Sequence, residues 1–333
     1  MLTIAIPTYN RACDLSVLLN EIVSQLDDVP SNFVELLISD NASTDDTPNV
    51  VLRYKRALEG RVNVLYRRND VNLGFSRNVD LAVRDSHGEF VLIMGDDDGL
   101  EPGTLAYVLE LLDLYSDLDV LFLGNSTYSE DLSRRLDGTI ASSEKYDLKV
   151  FQDGVQYISS HRGYPPALVS GYLVRKSAWG SAKAFDFYDS ISVHMLVVTR
   201  IMLRHGKVCE SNRQSIKYRA GQTRTTWSKD PLYPFRFYLD ELAACRLFAR
   251  EATRNVMSIL YRVPTRTIAF YLIRQKITCH PFNSGKFWEC YTNNVGATNV
   301  YTLLALIIRY MPRFLVYAIF YVILKKEILK NEL

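Results

Sequence analysis

Cysteine is scarce and badly placed for covalent or metal chemistry. The five in this chain of 333 residues, Cys13, Cys209, Cys245, Cys279 and Cys290, are odd in number, scattered and never spaced as CxxC. They make neither a disulfide framework nor a zinc site, and a reducing cytosol suits them. Charge of one sign is also missing. With a net charge of +2, 23% charged and 48% apolar residues, the composition excludes a disordered chain and a general polycation, so nucleic acid is not an expected partner. No basic segment or small-residue cleavage site precedes LTIAIP, so a strand and not a signal peptide is expected there. Internal repeats and low-complexity tracts are absent.

Long apolar runs are missing too. The most hydrophobic stretch, 300–324, is divided by Arg309, Pro312 and Arg313. A bilayer crossing needs roughly 20 uninterrupted apolar residues. Helices lying in a membrane interface fit better, with Lys325, Lys326 and Lys330 toward anionic headgroups; burial in a protein core or dimer contact is the competing reading. The preceding stretch, Asp230 to Lys276, sets Arg236, Arg246, Arg250, Arg254, Arg262, Arg266 and Arg274 among apolar residues at helical spacing. Residues 229–333 are therefore expected to be basic amphipathic helices that associate with a membrane surface.

What is present is an α/β pattern. From residue 2 to about 125, short apolar runs alternate with amphipathic segments, which predicts βαβ units around a mostly parallel sheet. The expected strands are Leu2 to Ile6, Val34 to Ser39, Val62 to Tyr66, Phe90 to Met94 and Val120 to Leu123. Asp14 is expected to cap a helix carrying Leu15, Leu18, Leu19, Ile22, Val23 and Leu26 on one face. Open parallel sheets bind ligands beyond the carboxyl ends of their strands, where this sequence places Pro7 to Arg11, Asp40 to Thr47, Asn72 to Asn78 and an acidic trio. That trio, Asp96, Asp97 and Asp98, follows the apolar run FVLIMG. Three like charges on one turn persist where a cation or hydrogen-bond donors offset them, and a divalent metal is the simplest counter-charge. A solvated acidic turn before a helix is the alternative.

IPTYNR at 6–11, SDNASTDDT at 39–47, NLGFSRN at 72–78 and GDDDGLEPGTL at 95–105 together resemble, in order and spacing, the signature blocks of family 2 glycosyltransferases. The resemblance is specific over residues 1–125 and fades through 126–225. It implies a GT-A fold; the change of character after Trp227 sets the catalytic domain at 1–228 (nucleotide-sugar binding over 1–125, acceptor and catalytic part over 126–228). The resemblance also implies a nucleotide-sugar donor, a Mg²⁺ or Mn²⁺ ion and single-displacement transfer that inverts the anomeric centre. Length and layout are similar to O-antigen dideoxyhexosyl transferases of the abequosyl type. That narrower likeness implies a CDP-sugar donor, an undecaprenyl-diphosphate-linked saccharide acceptor, and a peripheral place on the cytoplasmic face of the inner membrane.

Residue chemistry accompanies these implications. Asp40 at a strand end, with Pro7, Thr8, Tyr9 and Arg11 on the neighbouring loop, suits a pyrimidine ring and ribose, though Asp40 also suits a helix cap. Asn41, Ser43, Thr44, Asp45 and Thr47 are equally good turn and cap residues. Arg77 opens a helix and its forked guanidinium fits a diphosphate, while Asn78 either holds donor or braces the loop. The acidic block departs from the family form, because counting back from Pro102 puts Gly95 where the first family Asp would stand. Asp96 and Asp98 are expected as a shifted metal pair, with Asp97 alone in the family register as the alternative. The base that deprotonates the acceptor hydroxyl is expected among Asp189, His194 and Asp186, in that order, near a helix running through His205. His194 also reads as a packed core histidine. Arg219, Arg224 and Trp227 lie on a loop suited to closing over the diphosphate.

Two other classes compete. A nucleotidyltransferase would share the sheet and carboxylates but opens with a Gly-rich phosphate loop, which PTYNR is not. A membrane-attached saccharide- or nucleotide-binding protein with a degenerate site is suggested by Gly95 and the unmatched base.

Overall fold

The computed structural model describes residues 1–30, 32–137, 148–161, 165–204 and 206–220, with isolated positions 240, 243, 244 and 247. Apart from those four positions, which are helical, the helices expected over 229–333, with Arg224 and Trp227, lie outside the described residues. Among the described residues no helix is long and apolar enough to cross a membrane.

The strands are β1 (Leu2–Thr8), β2 (Val34–Asp40), β3 (Asn63–Arg68), β4 (Phe90–Ile93), β5 (Gly99–Leu100), β6 (Val120–Tyr128), β7 (Leu148–Phe151), β8 (Tyr172–Arg175) and β9 (Val208–Arg219). The α-helices are α1 (Ala12–Val23), α2 (Thr47–Ala57), α3 (Phe75–Asp85), α4 (Thr104–Leu114), α5 (Gly154–Ser160), α6 (Lys176–Ser181) and α7 (Val193–Leu203). These elements belong to the first of two compact units into which the chain divides, Met1–Thr223 with Ala244–Ala252.

One sheet runs in the order β3-β2-β1-β4-β8-β6-β9-β5, with β7 on β9. From β3 to β4 all neighbours are parallel; β8 then runs antiparallel to both β4 and β6. Every residue of β1 and β2 is buried, because helices cover both faces. Leu2, Ile4, Ile6, Leu36 and Ile38 point to the core that α1, α2 and α4 complete with Leu15, Leu19, Val51, Leu105 and Leu111. The opposite face is packed by α3, through buried Val79, Ala82 and Val83, and α3 in turn meets α7.

Three local expectations need correction. Asp14 is not the cap of α1: Arg11 holds that position without a side-chain bond, and the Ala12 amide is satisfied at 3.0 Å by Asp45 from the next loop. Asp14 sits in the first helical turn and pairs instead with Arg219 at 3.0 Å. α7 ends at Leu203 with Arg204 as its cap, before the expected His205, which lies outside the described residues. β6 extends to Tyr128, past the expected Leu123, because β9 pairs along it through a bulge at Gly124, where a Cβ would lie 2.7 Å from the Arg213 carbonyl.

Candidate active site

β1, β2 and β4 all deliver their carboxyl ends to one rim. Thr8 lies opposite Asp40 in the β1–β2 ladder, and β4 pairs with β1 through Ile93 before releasing the acidic turn. The three polar blocks that follow β1, β2 and β4 therefore meet at this rim, and Asn41 ties the Asn72 loop to it.

The acidic turn is buried more than its charge would suggest. Asp96 is 7% and Asp98 2% exposed. Burial raises the pKa of both, reinforced in each case by the Asp97 charge. Opposing this, Arg11 reaches Asp96 at 3.7 Å and forms an ion pair and hydrogen bond with Asp97. Asp98 faces elsewhere: its Oδ2 accepts from the Ser170 hydroxyl at 2.5 Å and its Oδ1 from the Arg219 amide at 3.0 Å. Ser170 also accepts from the Gly95 amide at 2.9 Å. Arg219 braces the turn from behind, donating Nε to the Asp97 carbonyl at 2.5 Å and Nη1 to the Glu130 carbonyl at 2.7 Å. It is the last residue of β9 and is spent on this bracing, not on a free loop.

Thr8 adds an unsatisfied group. Its hydroxyl is buried beside Asp96, near enough to favour the charged carboxylate yet without a hydrogen bond of proper geometry. A hard divalent cation suits this donor set of carboxylates and a hydroxyl. Among the described residues no cluster of three or more His, Cys, Asp or Glu side chains is arranged to hold an ion, so a bound diphosphate would have to complete the shell.

The other blocks are structural as well as polar. Asp40 is fully buried and accepts from the Ser43 amide at 2.8 Å and the Tyr66 hydroxyl at 2.7 Å, with Arg68 at 3.4 Å. Asn41 clamps the following loop, accepting from Asn69 and the Leu73 amide and donating to Asn72. Asn78 braces this loop from α3 by exchanging bonds with Ser39 at 2.8 Å in both directions. Pro7 is buried, whereas Tyr9 is exposed at the rim. Gly74 takes φ 84° as α3 begins, a conformation glycine adopts freely. Arg77 follows, exposed, with its guanidinium 5.2 Å above the Tyr188 ring.

The three base candidates separate. Asp186 pairs with Arg200 at 2.7 Å. His194 is 3% exposed, donates Nε2–H to the Ala167 carbonyl at 3.0 Å and packs edge-on against Tyr172 and Phe75. Burial lowers its pKa to about 4, so the ring is neutral, with Nδ1 buried and unpartnered. Asp189 is exposed on a segment pinned to α3: the Ser76 hydroxyl donates to the Ser190 carbonyl, and Tyr188 donates to Asp80 at 2.6 Å. Asp80 accepts from the Trp179 indole as well, at 2.9 Å. Sequence reasoning missed Ser170, Asp80, Tyr188 and Trp179, each of which acts across a long sequence separation; SG before an apolar run was the sole cue to Ser170.

Known proteins resemble this chain in part of its sequence and in its fold. Residues 3–164 match the family described as Glycosyl transferase family 2. Abequosyltransferase RfbV of Salmonella typhimurium is 38% identical over 122 residues, which are 35% of this chain and 34% of that protein. A Campylobacter jejuni GalNAc(5)-diNAcBac-PP-undecaprenol beta-1,3-glucosyltransferase is 28% identical over 109 residues, 33% of each chain. These matches span about a third of the relatives' own length. The crystal structure of Staphylococcus aureus TarS 1-349 superposes with a TM-score of 0.51 at 17% identity, covering 83% of this chain and 82% of that one. Mannosyltransferase PcManGT of Pyrobaculum calidifontis, solved with GDP-Man and Mn²⁺, gives 0.50 at 15% identity, covering 92% and 84%. The likeness to these structures shows that the fold is GT-A.

Proposed function

We propose, from the match of residues 3–164 to Glycosyl transferase family 2, that the chain moves a sugar from a nucleotide-sugar to a lipid-linked saccharide during assembly of a surface polysaccharide. The observation that carries this reading is the buried acidic turn with Arg11 and the unpartnered Thr8 hydroxyl at the carboxyl ends of β1 and β4. A nucleoside diphosphate is the leaving group such a rim is suited to stabilise. Mg²⁺ or Mn²⁺, when bound, supplies positive charge against the charge that builds on the departing diphosphate. Asp96 and Asp97 would hold it, with Asp98, the other carboxylate of the expected metal pair, held back by Ser170 and Arg219.

The chain's own residues do the rest. Asp40 and Asn41 shape the pocket for a pyrimidine nucleoside, and exposed Arg77 provides forked donors to diphosphate oxygens. Asp189 takes the proton of the acceptor hydroxyl, since Asp186 is paired with Arg200 and His194 is held by Ala167. The relatives named for an abequosyl transfer and for an undecaprenol-linked acceptor support an abequosyl-type sugar and a polyprenyl-linked acceptor; CDP as the donor nucleotide is what the sequence resemblance implies. Residues 229–333 are assigned to the membrane surface on the cytoplasmic face.

The test is a donor screen. CDP-, UDP- and GDP-sugars are each incubated with a polyprenyl-diphosphate-linked saccharide and Mn²⁺, and nucleoside diphosphate release is followed. Turnover with one donor, lost in Asp96→Asn, is expected. Nucleotide binding without turnover would favour the degenerate binding protein, the reading that Gly95 suggests.

A further inference from the structure

Arg11 is the cation that the acidic turn already has. Its guanidinium lies against both Asp96 and Asp97, with side chains that are only 17%, 10% and 20% exposed. Charges this sheltered attract strongly and cannot be separated without replacement, because each would be left desolvated and unpaired. Asp98 offers no escape, since both of its oxygens are engaged by Ser170 and Arg219. The Thr8 hydroxyl, 3% exposed, lies beside Asp96 and favours its charged form without a well-formed hydrogen bond, so it is a further oxygen at the turn.

We propose that Arg11 competes with the divalent cation for Asp96 and Asp97, so that the cation and a nucleoside diphosphate bind as a coupled pair. This rests on the reading of the rim as a nucleotide-sugar site. A cation arriving alone must expel Arg11 from its carboxylates and leave the guanidinium without an anion. A diphosphate arriving alone meets the Asp96 and Asp97 charges, only partly offset. With both present the partners would exchange: Asp96 and Asp97 would hold the cation, and the released Arg11 guanidinium would take a phosphate edge in the bidentate geometry it favours. Arg11 thereby acts as a positioning residue that disfavours loading by metal alone.

The test uses the full chain and isothermal titration of MnCl₂, with and without saturating CDP. Wild type is expected to bind Mn²⁺ about tenfold or more weakly without CDP than with it. Arg11→Gln removes the competitor, so it should bind Mn²⁺ alone about tenfold more tightly than wild type and show a smaller CDP effect. Arg11→Lys keeps a competing charge and should stay near wild type. Arg11→Met, which keeps the aliphatic stem, replaces the Gln variant if thermal melts show that variant unfolded. Unchanged or weaker Mn²⁺ binding by the neutral variants overturns the proposal, as does wild-type Mn²⁺ affinity that ignores CDP. Failure of the transferase reading looks different: Mn²⁺ and CDP bind as a pair, with the expected response at Arg11, while no donor sugar is consumed.

Discussion

The Ser170 hydroxyl donates to Asp98 across 72 positions of sequence at 2.5 Å, and the same oxygen accepts the Gly95 amide at 2.9 Å. One small side chain thus satisfies both ends of the acidic turn. Ser170→Ala leaves a buried N–H unpaired and a buried carboxylate short of a donor. It is expected to lower stability by about 1–3 kcal/mol in urea titration, with a loss of transfer rate larger than any change in donor KM. Wild-type stability in Ser170→Ala would show that water replaces the hydroxyl.

Gly95 stands where the resemblance would put an aspartate, and the packing leaves little room there for a side chain. A Cβ there would lie 3.0 Å from the Ser170 Oγ and 3.1 Å from Asp97 Oδ1. Gly95→Asp, which superficially restores the family pattern, is expected to cost about 1–3 kcal/mol through overpacking and a fourth carboxylate, and to reduce transfer. Thermal melts and the donor assay check this; a gain in activity would mean the register begins one residue earlier than the structure indicates.

His194 predicts an acid-side loss of stability. The unfolded ring protonates near 6.5 but the buried ring resists until about 4. Between those values the unfolded state holds more protons, so stability falls as pH drops through that window. From pH 7 to pH 5 this group contributes a loss of about 2 kcal/mol. The wild-type decrease, measured by urea midpoint, should exceed that of His194→Gln by about this amount; identical pH slopes would place the protonation elsewhere.

Asp189 and Asp186 are three positions apart but differ in what they touch. If Asp189 is the base, Asp189→Asn lowers kcat on the order of 10²- to 10⁴-fold with donor binding kept. Asp186→Asn breaks a partly exposed pair with Arg200 and should cost under about 1 kcal/mol with little effect on kcat. The reverse ranking in single-turnover assays would move the base to Asp186.

The fold was legible where patterning is local. β1 and β2 read as strands because continuous apolar runs signal burial on both faces, and α1 read as a helix from Leu15, Leu18, Leu19 and Ile22. The rim followed from strand direction, which places the ends of β1, β2 and β4 together. What stayed hidden depends on long-range pairing. Asp45 capping α1, Arg219 bracing Asp97, and Asp80 joining Trp179 to Tyr188 each link segments whose proximity no spacing encodes. The antiparallel return of β8 was hidden for the same reason, since YLVR is a short apolar run that fits either direction.

That return has its own effect on evolution of the site. Ile93 opposes Tyr172 in the β4–β8 ladder, so Ser170 arrives beside the acidic turn by strand register. Changes of length in the stretch between β6 and β8 that spare Glu130, which holds Arg219, and β7, which pairs with β9, leave the partners of the carboxylates in place. The fold thereby separates a part free to diversify from a part that must stay fixed.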